Sequence, residues 1–235
     1  MVEARYDDVA DFYEAGWPDS YDDAVSVALF AAVGELAGLA VLDVACGHGR
    51  ITRELARRRA GRVVGLDVSA QLIQKATAAE LGVPLGIRYV NVDLCAPSLL
   101  DGEVFDVVVC SFGLSDIDDL DRALSNVVRC LAGGGRFVFS ILHPCFPGGG
   151  DVSGSWPPQG GYSDERRWYA DAPGSTLRSQ VGANHRMLST YLNALRDHGL
   201  VLDQILEPGP PASWTRDRPE VARFPVFLVV GCAKK

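Results

Sequence analysis

The 235 residues are 48% hydrophobic and 22% charged, enough for one globular domain with a real core or one domain with an inserted cover. A net charge of −8 opposes loose binding to phosphate backbones, which draws on clustered Lys and Arg, and no apolar run approaches the roughly 18 residues that span a bilayer, so neither nucleic acid nor membrane is an expected partner. The start, MVEARYDDVADFY, is acidic where a signal peptide is basic and then apolar, and Cys46, Cys95, Cys110, Cys130, Cys145 and Cys232 form no C-x-x-C pair, which predicts a cytoplasmic chain with reduced thiols and neither a disulfide framework nor a zinc site.

In chain order, Val25, Leu29, Ala32, Val33 and Leu36 line one face of a helix that Gly38 is expected to end. Val41, Leu42 and Val44 read as a short buried strand, Ala45 to Gly49 as a tight turn, and Ile51 to Arg59 as the helix that follows. Its basic end, Arg57-Arg58-Arg59, answers the helix dipole. Arg62 to Asp67 is a second strand, and Ser69 caps a helix carrying Leu72, Ile73 and Ala76 that stops at Gly82. Arg88 to Val92 is a third strand. The fourth, FDVVVCS at 105–111, is almost continuously apolar, which predicts cover on both faces, as in a parallel sheet between helices. Asp116, Asp118 and Asp119 read as an acidic run at the start of a helix carrying Leu120, Leu124, Val127, Val128 and Leu131. Gly133 to Gly135 turn the chain, and RFVFSIL is a fifth strand. The alternation predicts a doubly wound α/β fold.

Between His143 and roughly Ala183 the pattern breaks. The stretch is rich in Gly, Pro and Ser but holds Phe146, Trp156, Tyr162, Trp168 and Tyr169. A plain linker has no use for such aromatics, so the segment reads as a lid, mobile without ligand and closing over substrate. After it, Ser189 can cap a helix with Tyr191, Leu192 and Leu195 that ends at Gly199. Two strands, LVLDQIL and FPVFLVVGCA, follow, separated by a Pro-rich loop holding Trp214.

The turn VLDVACGHGR brings backbone N–H groups to the positive end of a helix, where a ligand can lie against them. Asp43-x-x-Cys46-Gly47-x-Gly49 after strand one, Asp67 ending strand two, Asp93 after strand three and LAGGGRFVFS around strand five together resemble the class I S-adenosylmethionine-dependent methyltransferases, in particular the small-molecule type. YDDVADFY resembles the N-terminal cap of that type. The resemblance runs from Tyr6 to Lys235 and is weakest in the aromatic insert. It implies a Rossmann-like, seven-stranded, mostly parallel sheet with helices on both faces, the last strand antiparallel and inserted beside the fifth. One domain is expected, with residues 1–38 as an N-terminal helical cap, 39–142 as the cofactor-binding core, 143–185 as the aromatic lid and 186–235 as a C-terminal helix and strand pair.

The implied cofactor is S-adenosyl-L-methionine, leaving as S-adenosyl-L-homocysteine, with no metal. Gly47 and Gly49 are expected to admit its methionine part to the backbone, with Cys46 just before them. By resemblance Asp43 lies near its ammonium end, and Ala45 stands where the family often has a third glycine. Asp67, a carboxylate at a strand end followed by Val68, can accept both ribose hydroxyls in a bidentate pair. Asp93 resembles the acid that meets the adenine amino group, with Leu94 beside it. Ser111 and Phe112 are expected near the sulfonium, and Tyr13 of the cap is a further cofactor-binding candidate. The CSFG sequence lacks the N/D-P-P-Y/F signature of enzymes that methylate amino groups of nucleic-acid bases or protein glutamine.

Two alternatives stay open. A nicotinamide dinucleotide would place glycines at 47, 49 and 52, but position 52 is Thr. A chain that binds the cofactor only as a sensor is the other. Methyl transfer is a direct displacement that rewards alignment in a dry pocket. The expected acceptor is a small aromatic or secondary-metabolite molecule, with O, N and C all open as the methylated atom and a homodimer among the open oligomeric states. Where a base is needed, His143 and His185 are the candidates, each with a hydrogen-bonded structural role as the alternative. His48 belongs to the glycine turn and His198 to a helix end. Phe112, Trp156, Tyr162 and Trp168 are the candidate substrate walls.

Overall fold

The computed structural model describes residues 4–17, 20–148, 154–157, 159–171 and 176–235. A 3-10 turn leads into α1 (Ala10–Ala15), and Asp23 starts α2 (Ala24–Val33) by accepting the Ser26 N–H at 2.9 Å. This helix ends at Gly34, with φ at +71°, and not at Gly38. Leu36 is nonetheless buried, because the stretch after the helix folds back and Ala37 pairs with Ala60. Then follow β1 (Ala40–Val44), α3 (Arg50–Arg57), β2 (Arg62–Asp67), α4 (Ala70–Gly82), β3 (Ile87–Asn91), β4 (Phe105–Ser111), α5 (Leu120–Cys130) and β5 (Leu131–Leu142). The insert contributes β6 (Arg166–Trp168), α6 (Leu177–Val181) and β7 (Ala183–His185), and the chain continues through α7 (Leu188–Asp197), β8 (Leu200–Leu206), α8 (Ala212–Asp217) and β9 (Phe227–Lys234).

The main sheet has seven strands in the order β3-β2-β1-β4-β5-β9-β8. The first five run parallel, and β9 lies antiparallel between β5 and β8. This is the doubly wound sheet expected from the sequence. Side chains alternate between two cores, as strand geometry requires: Val41, Val63, Val107 and Val109 face α2 and α3, while Leu42, Val64, Val108 and Cys110 face α5 and α7. The glycines at 133–135 do not turn the chain out of the sheet. Leu131 already pairs with Phe105 and Arg136 with Val107, so the glycines form an irregularity inside β5.

Capping splits by where the partner comes from. Ser69 accepts the Leu72 N–H at 3.1 Å, as the local sequence predicts. Ser189 does not cap α7. Its N-terminus is held from the insert, where Glu165 Oε1 accepts the Met187 N–H at 2.6 Å and the Tyr162 hydroxyl accepts the Leu188 N–H at 2.9 Å. The described residues of the expected lid are tied down in the same way. β6 and β7 pair as a hairpin, and Asn184 N–H donates to the Ser115 carbonyl at 2.7 Å, on the loop after β4. The parts of the expected lid at 149–153, 158 and 172–175, and positions 1–3 and 18–19 of the expected cap, lie outside the described residues.

One glycine of the first turn has a packing reason. Gly49 stands at the start of α3 with φ at +85°, and a Cβ there would come within 2.9 Å of Tyr89 Cζ, which reaches across from β3. Gly49→Ala should therefore lower the unfolding free energy by about 2 kcal/mol, from left-handed strain plus the clash. Urea melts of Gly49→Ala, Tyr89→Leu and the double variant check this, with the double variant recovering part of the loss; a cost under about 0.5 kcal/mol would refute it.

Candidate functional site

A cavity of 1180 Å³ opens where β1, β2 and β4 end. Ala45 and Gly47 come from the turn after β1, Asp67 and Val68 from the end of β2, Asp93 and Cys95 from beyond β3, and Ser111, Phe112 and Gly113 from the end of β4. Tyr13 and Trp17 close it from the N-terminal segment. In a parallel sheet this edge is where neighbouring loops diverge and leave a crevice.

Asp67 organises the floor. Its Oδ2 accepts the Gly47 N–H and its Oδ1 the Ser69 N–H, both at 2.8 Å. A carboxylate offers about four lone-pair positions, so each oxygen keeps one to offer a ligand. Burial pushes Asp67 up to about 6, with the two N–H donors working in the opposite direction. Asp43 is more deeply placed, in a recess that shares Ala45, Ser111, Tyr13 and Trp17 with the cavity and also includes Cys46. Thr52 Oγ1 donates to Asp43 Oδ2 at 2.6 Å, while Oδ1 is buried without a partner. Burial raises this carboxyl to about 7, and the Asp67 charge adds to the rise. Thr52, which stands where a dinucleotide fingerprint would have its third glycine, is thus spent on orienting Asp43.

Tyr13 lies on the glycine turn. A Cβ on Gly47 would sit 3.1 Å from its ring, and the ring meets Tyr6 and His48 edge-on at 5.2 and 5.5 Å between centroids. Two residues here hold a left-handed backbone without being glycine, Ala45 at φ +54° and Phe112 at φ +59°. Phe112 N–H donates to the Ser140 carbonyl at 2.9 Å. Gly113 has no room for a side chain, since its Cβ would fall 2.5 Å from that of Ala45. Strain of this kind persists only where the surroundings over-determine it.

The structure therefore gathers Tyr13, Ala45, Gly47, Asp67, Val68, Asp93, Ser111 and Phe112 around one cavity, with Asp43 and Cys46 in the adjoining recess. It does not bring Gly49 or Leu94 to the cavity wall. Gly49 makes room for Tyr89, and the Leu94 carbonyl accepts Asn126 Nδ2 at 2.6 Å.

Neither candidate histidine lines the cavity. His143 Nδ1 accepts the Cys145 N–H at 3.0 Å, which leaves the ring proton on Nε2, 3.0 Å from Glu207 Oε1. Burial lowers its basicity, against the pull of Glu207. His185 is buried in the small hairpin, with Nε2 2.7 Å from the Tyr162 carbonyl and Nδ1 enclosed without a partner. The expected aromatic walls are also elsewhere. Trp156 Nε1 donates to the Pro144 carbonyl at 2.7 Å, the Tyr162 hydroxyl caps α7, and Trp168 is buried within β6. Only Phe112 of the four candidate substrate walls reaches the cavity.

In their place the cavity uses residues that the sequence reading did not single out as site residues. Trp17 and Trp214 face it, together with Arg5, Tyr6, Asp116, Arg167 and Arg178. Asp119 does cap α5, accepting the Arg122 N–H at 2.9 Å, but Asp116 and Asp118 are not helix-start charges. Asp116 accepts the Tyr6 hydroxyl at 2.8 Å and pairs with Arg178, while Asp118 pairs with Arg5 at 2.6 Å and Arg167 at 2.9 Å. Burial, then the Asp116 charge, pushes the Tyr6 hydroxyl well above its ordinary value. Among the described residues no three His, Cys, Asp or Glu side chains gather to hold a metal ion, and no helix is long and apolar enough to cross a membrane.

Residues 42–139 match the family described as a methyltransferase domain. Demethylmenaquinone methyltransferase of Thermobifida fusca is 33% identical over 145 residues, 58% of this chain and 59% of that one. Ubiquinone/menaquinone biosynthesis C-methyltransferase of Idiomarina loihiensis is 35% identical over 106 residues, 43% of this chain and 41% of that one. The chain thus spans less than two thirds of these curated relatives. Coverage is fuller for a solved structure, an S-adenosylmethionine-dependent methyltransferase from Mesorhizobium loti. It is 31% identical with a TM-score of 0.73, over 91% of this chain and 99% of that one.

The two raised carboxyls make stability depend on pH in a set direction. A carboxyl with a raised folded value contributes stability at low pH that is lost as pH climbs through that value, here about 6 for Asp67 and about 7 for Asp43. His143, held low, acts in the opposite sense, so the comparison needs a variant. Asp43→Asn can keep the Thr52 contact without the buried charge. It should be more stable than the parent at pH 8 and by a clearly smaller margin at pH 5, by urea midpoints at both; an equal difference at the two values would overturn the assignment.

Proposed function

Because this chain belongs to the class I S-adenosylmethionine-dependent methyltransferases, we propose that it transfers a methyl group from S-adenosyl-L-methionine to a small ring-bearing acceptor of quinone type. The observation that carries this reading is the continuous cavity joining Asp67 and Gly47 to Phe112. It offers hydroxyl acceptors, a close backbone and an apolar wall in one space. The unpartnered Asp43 Oδ1 fits a cationic group that enters from Ala45 and Ser111, and the cofactor's ammonium is such a group.

When bound, the cofactor supplies a methyl on a positively charged sulfur, which the acceptor takes by direct displacement. Asp67 would hold the ribose hydroxyls with its two remaining lone-pair positions, and Asp93, whose Oδ1 accepts the Cys95 N–H at 2.9 Å, would offer its other oxygen to the adenine amino group. Tyr13 covers the glycine turn and keeps water from it. Ser111 and Phe112 border the reacting centre, and Phe112 presents a ring that cannot take protons. With His143 and His185 away from the cavity, alignment and dryness carry the rate. The names of the relatives reported above support a quinone-type ring, and so does the aromatic lining beyond Phe112. That lining has no use in a sensor that binds cofactor alone, and Thr52 disfavours a dinucleotide. The six thiols are unpaired, which suits the cytoplasm as the place of action.

Calorimetry should show S-adenosyl-L-homocysteine binding with at least micromolar strength, about −8 kcal/mol, and no heat with NAD or NADP. Asp67→Asn should weaken that binding by about 2 kcal/mol, since one charge-assisted hydrogen bond is lost and another weakened. Affinity should rise with pH through about 7, as Asp43 ionises, and this rise should vanish in Asp43→Asn. His143→Gln should bind within about twofold of the parent, because it touches no wall of the site. NAD binding in place of the sulfur compound would refute the reading.

A further inference from the structure

We propose that the acceptor's ring lies between Trp17, Phe112, Phe227 and Trp214, and that Trp214, on the loop between β8 and β9, selects which rings are accepted. This rests on reading the cavity as a methyltransferase site and adds where the second substrate sits and what it must look like.

Beyond Phe112 the cavity extends in two directions. Toward the N-terminal segment the polar side chains are largely paired with one another, although Arg167 Nε is buried without a partner. Tyr6 donates to Asp116, Arg178 pairs with Asp116, and Arg167 pairs with Asp118 at 2.9 Å. Arg178 also donates to the Gly182 carbonyl at 2.8 Å. A ligand entering there would have to break a largely buried ion pair, a strongly unfavourable exchange.

The other direction is lined by ring faces in succession. Trp17 and Phe112 lie 5.8 Å apart between centroids, Phe112 and Phe227 5.9 Å, and Phe227 and Trp214 5.7 Å, with interplanar angles of 41°, 75° and 44°. All four line the cavity. Rings set at such angles leave faces and edges free for a flat guest, which they contact better than a puckered one. The junction is rigid, since Phe112 is held in its left-handed conformation by Ser140 and by the contact between Gly113 and Ala45. Trp17 is held from behind by the Arg50 guanidinium, 5.3 Å from its ring.

Trp214, like Trp17, is carried outside the strands, although it packs on Phe227 of β9. It sits on α8, a short helix entered through Pro210 and Pro211, and its backbone N–H donates to the Pro211 carbonyl at 2.9 Å. Proline limits the conformations of that loop, so the indole is presented on a stiff but sheet-independent support. The insert cannot play this part through Trp156, Tyr162 or Trp168, whose polar atoms or rings are committed outside the cavity.

The test uses 1-naphthol as a flat two-ring probe and decahydro-1-naphthol as its puckered counterpart, titrated with and without S-adenosyl-L-homocysteine. The parent protein should bind 1-naphthol and discriminate against the saturated compound. Trp214→Ala should weaken 1-naphthol by about tenfold, Trp214→Phe should restore most of the affinity, and Trp156→Phe should change nothing. Retained S-adenosyl-L-homocysteine affinity shows that each variant is folded, and Trp17→Leu tests the opposite wall should Trp214→Ala not fold. No 1-naphthol binding by the parent, equal binding of both probes, or loss through Trp156 and not Trp214 overturns the proposal. The methyltransferase reading stands in those cases if S-adenosyl-L-homocysteine still binds. Conversely, 1-naphthol binding lost in Trp214→Ala but kept in Trp214→Phe, with both variants showing the parent's circular dichroism and urea midpoint, supports the chamber even if S-adenosyl-L-homocysteine fails to bind, and then the cofactor reading alone is at fault.

Discussion

The two oxygens of Asp67 hold the working edge of the sheet together. One fixes the N–H of Gly47 in the turn after β1, and the other fixes that of Ser69 at the start of α4. Ser69 in turn caps α4, so a single carboxylate sets the spacing of two loops and one helix. Asp43 lies nearby, and the Asp67 charge raises the cost of ionising it, while Asp116 and Asp7 do the same to Asp67. The fold tolerates this by supplying N–H and hydroxyl donors in fixed positions. The result is a pocket already polarised for a cation and for hydroxyl donors, which need not reorganise the protein to find partners.

The second joint is the loop from Phe112 to Asp118. It receives Tyr6 and Arg5 from the N-terminal segment, Arg167, Arg178 and Asn184 from the insert, and Arg186 from just before α7. Residues more than a hundred positions apart therefore meet over the cavity. The insert acts through this joint as a brace for the roof, and its own tryptophans pack away from the ligand space.

The architecture was legible in the sequence wherever the cause is local. Near-continuous apolar runs such as FDVVVCS belong to strands covered on both faces, and Ser69 caps because its acceptor oxygen and the waiting N–H are three residues apart. The carboxylates at strand ends were legible for the same reason, since the topology alone brings Asp43, Asp67 and Asp93 to one edge. What escaped depends on distant partners. Gly49 looks like a ligand glycine until Tyr89 is seen above it, and Ser189 looks like a cap until Tyr162 and Glu165 arrive first. Asp116 resembles its neighbour Asp119 until Arg178 comes to it. The histidines and insert aromatics were assigned by position relative to the sheet, yet side-chain direction decides whether a residue faces the cavity or the core. Trp17 and Trp214 follow no periodic pattern, so nothing local marked them.

The placement of β9 has a consequence for how the molecule comes into being. This strand is made after every other strand of the sheet, yet it lies between β5 and β8 and pairs with both. During synthesis the first five strands can assemble in parallel, but β5 then carries an open, strongly apolar margin, and β8 has no neighbour to join. Phe227, which closes the aromatic chamber, arrives only with that strand. The ring-binding space is therefore completed in the same event that seals the sheet, so a nascent chain on the ribosome could form its cofactor edge before it has anywhere to put a second substrate.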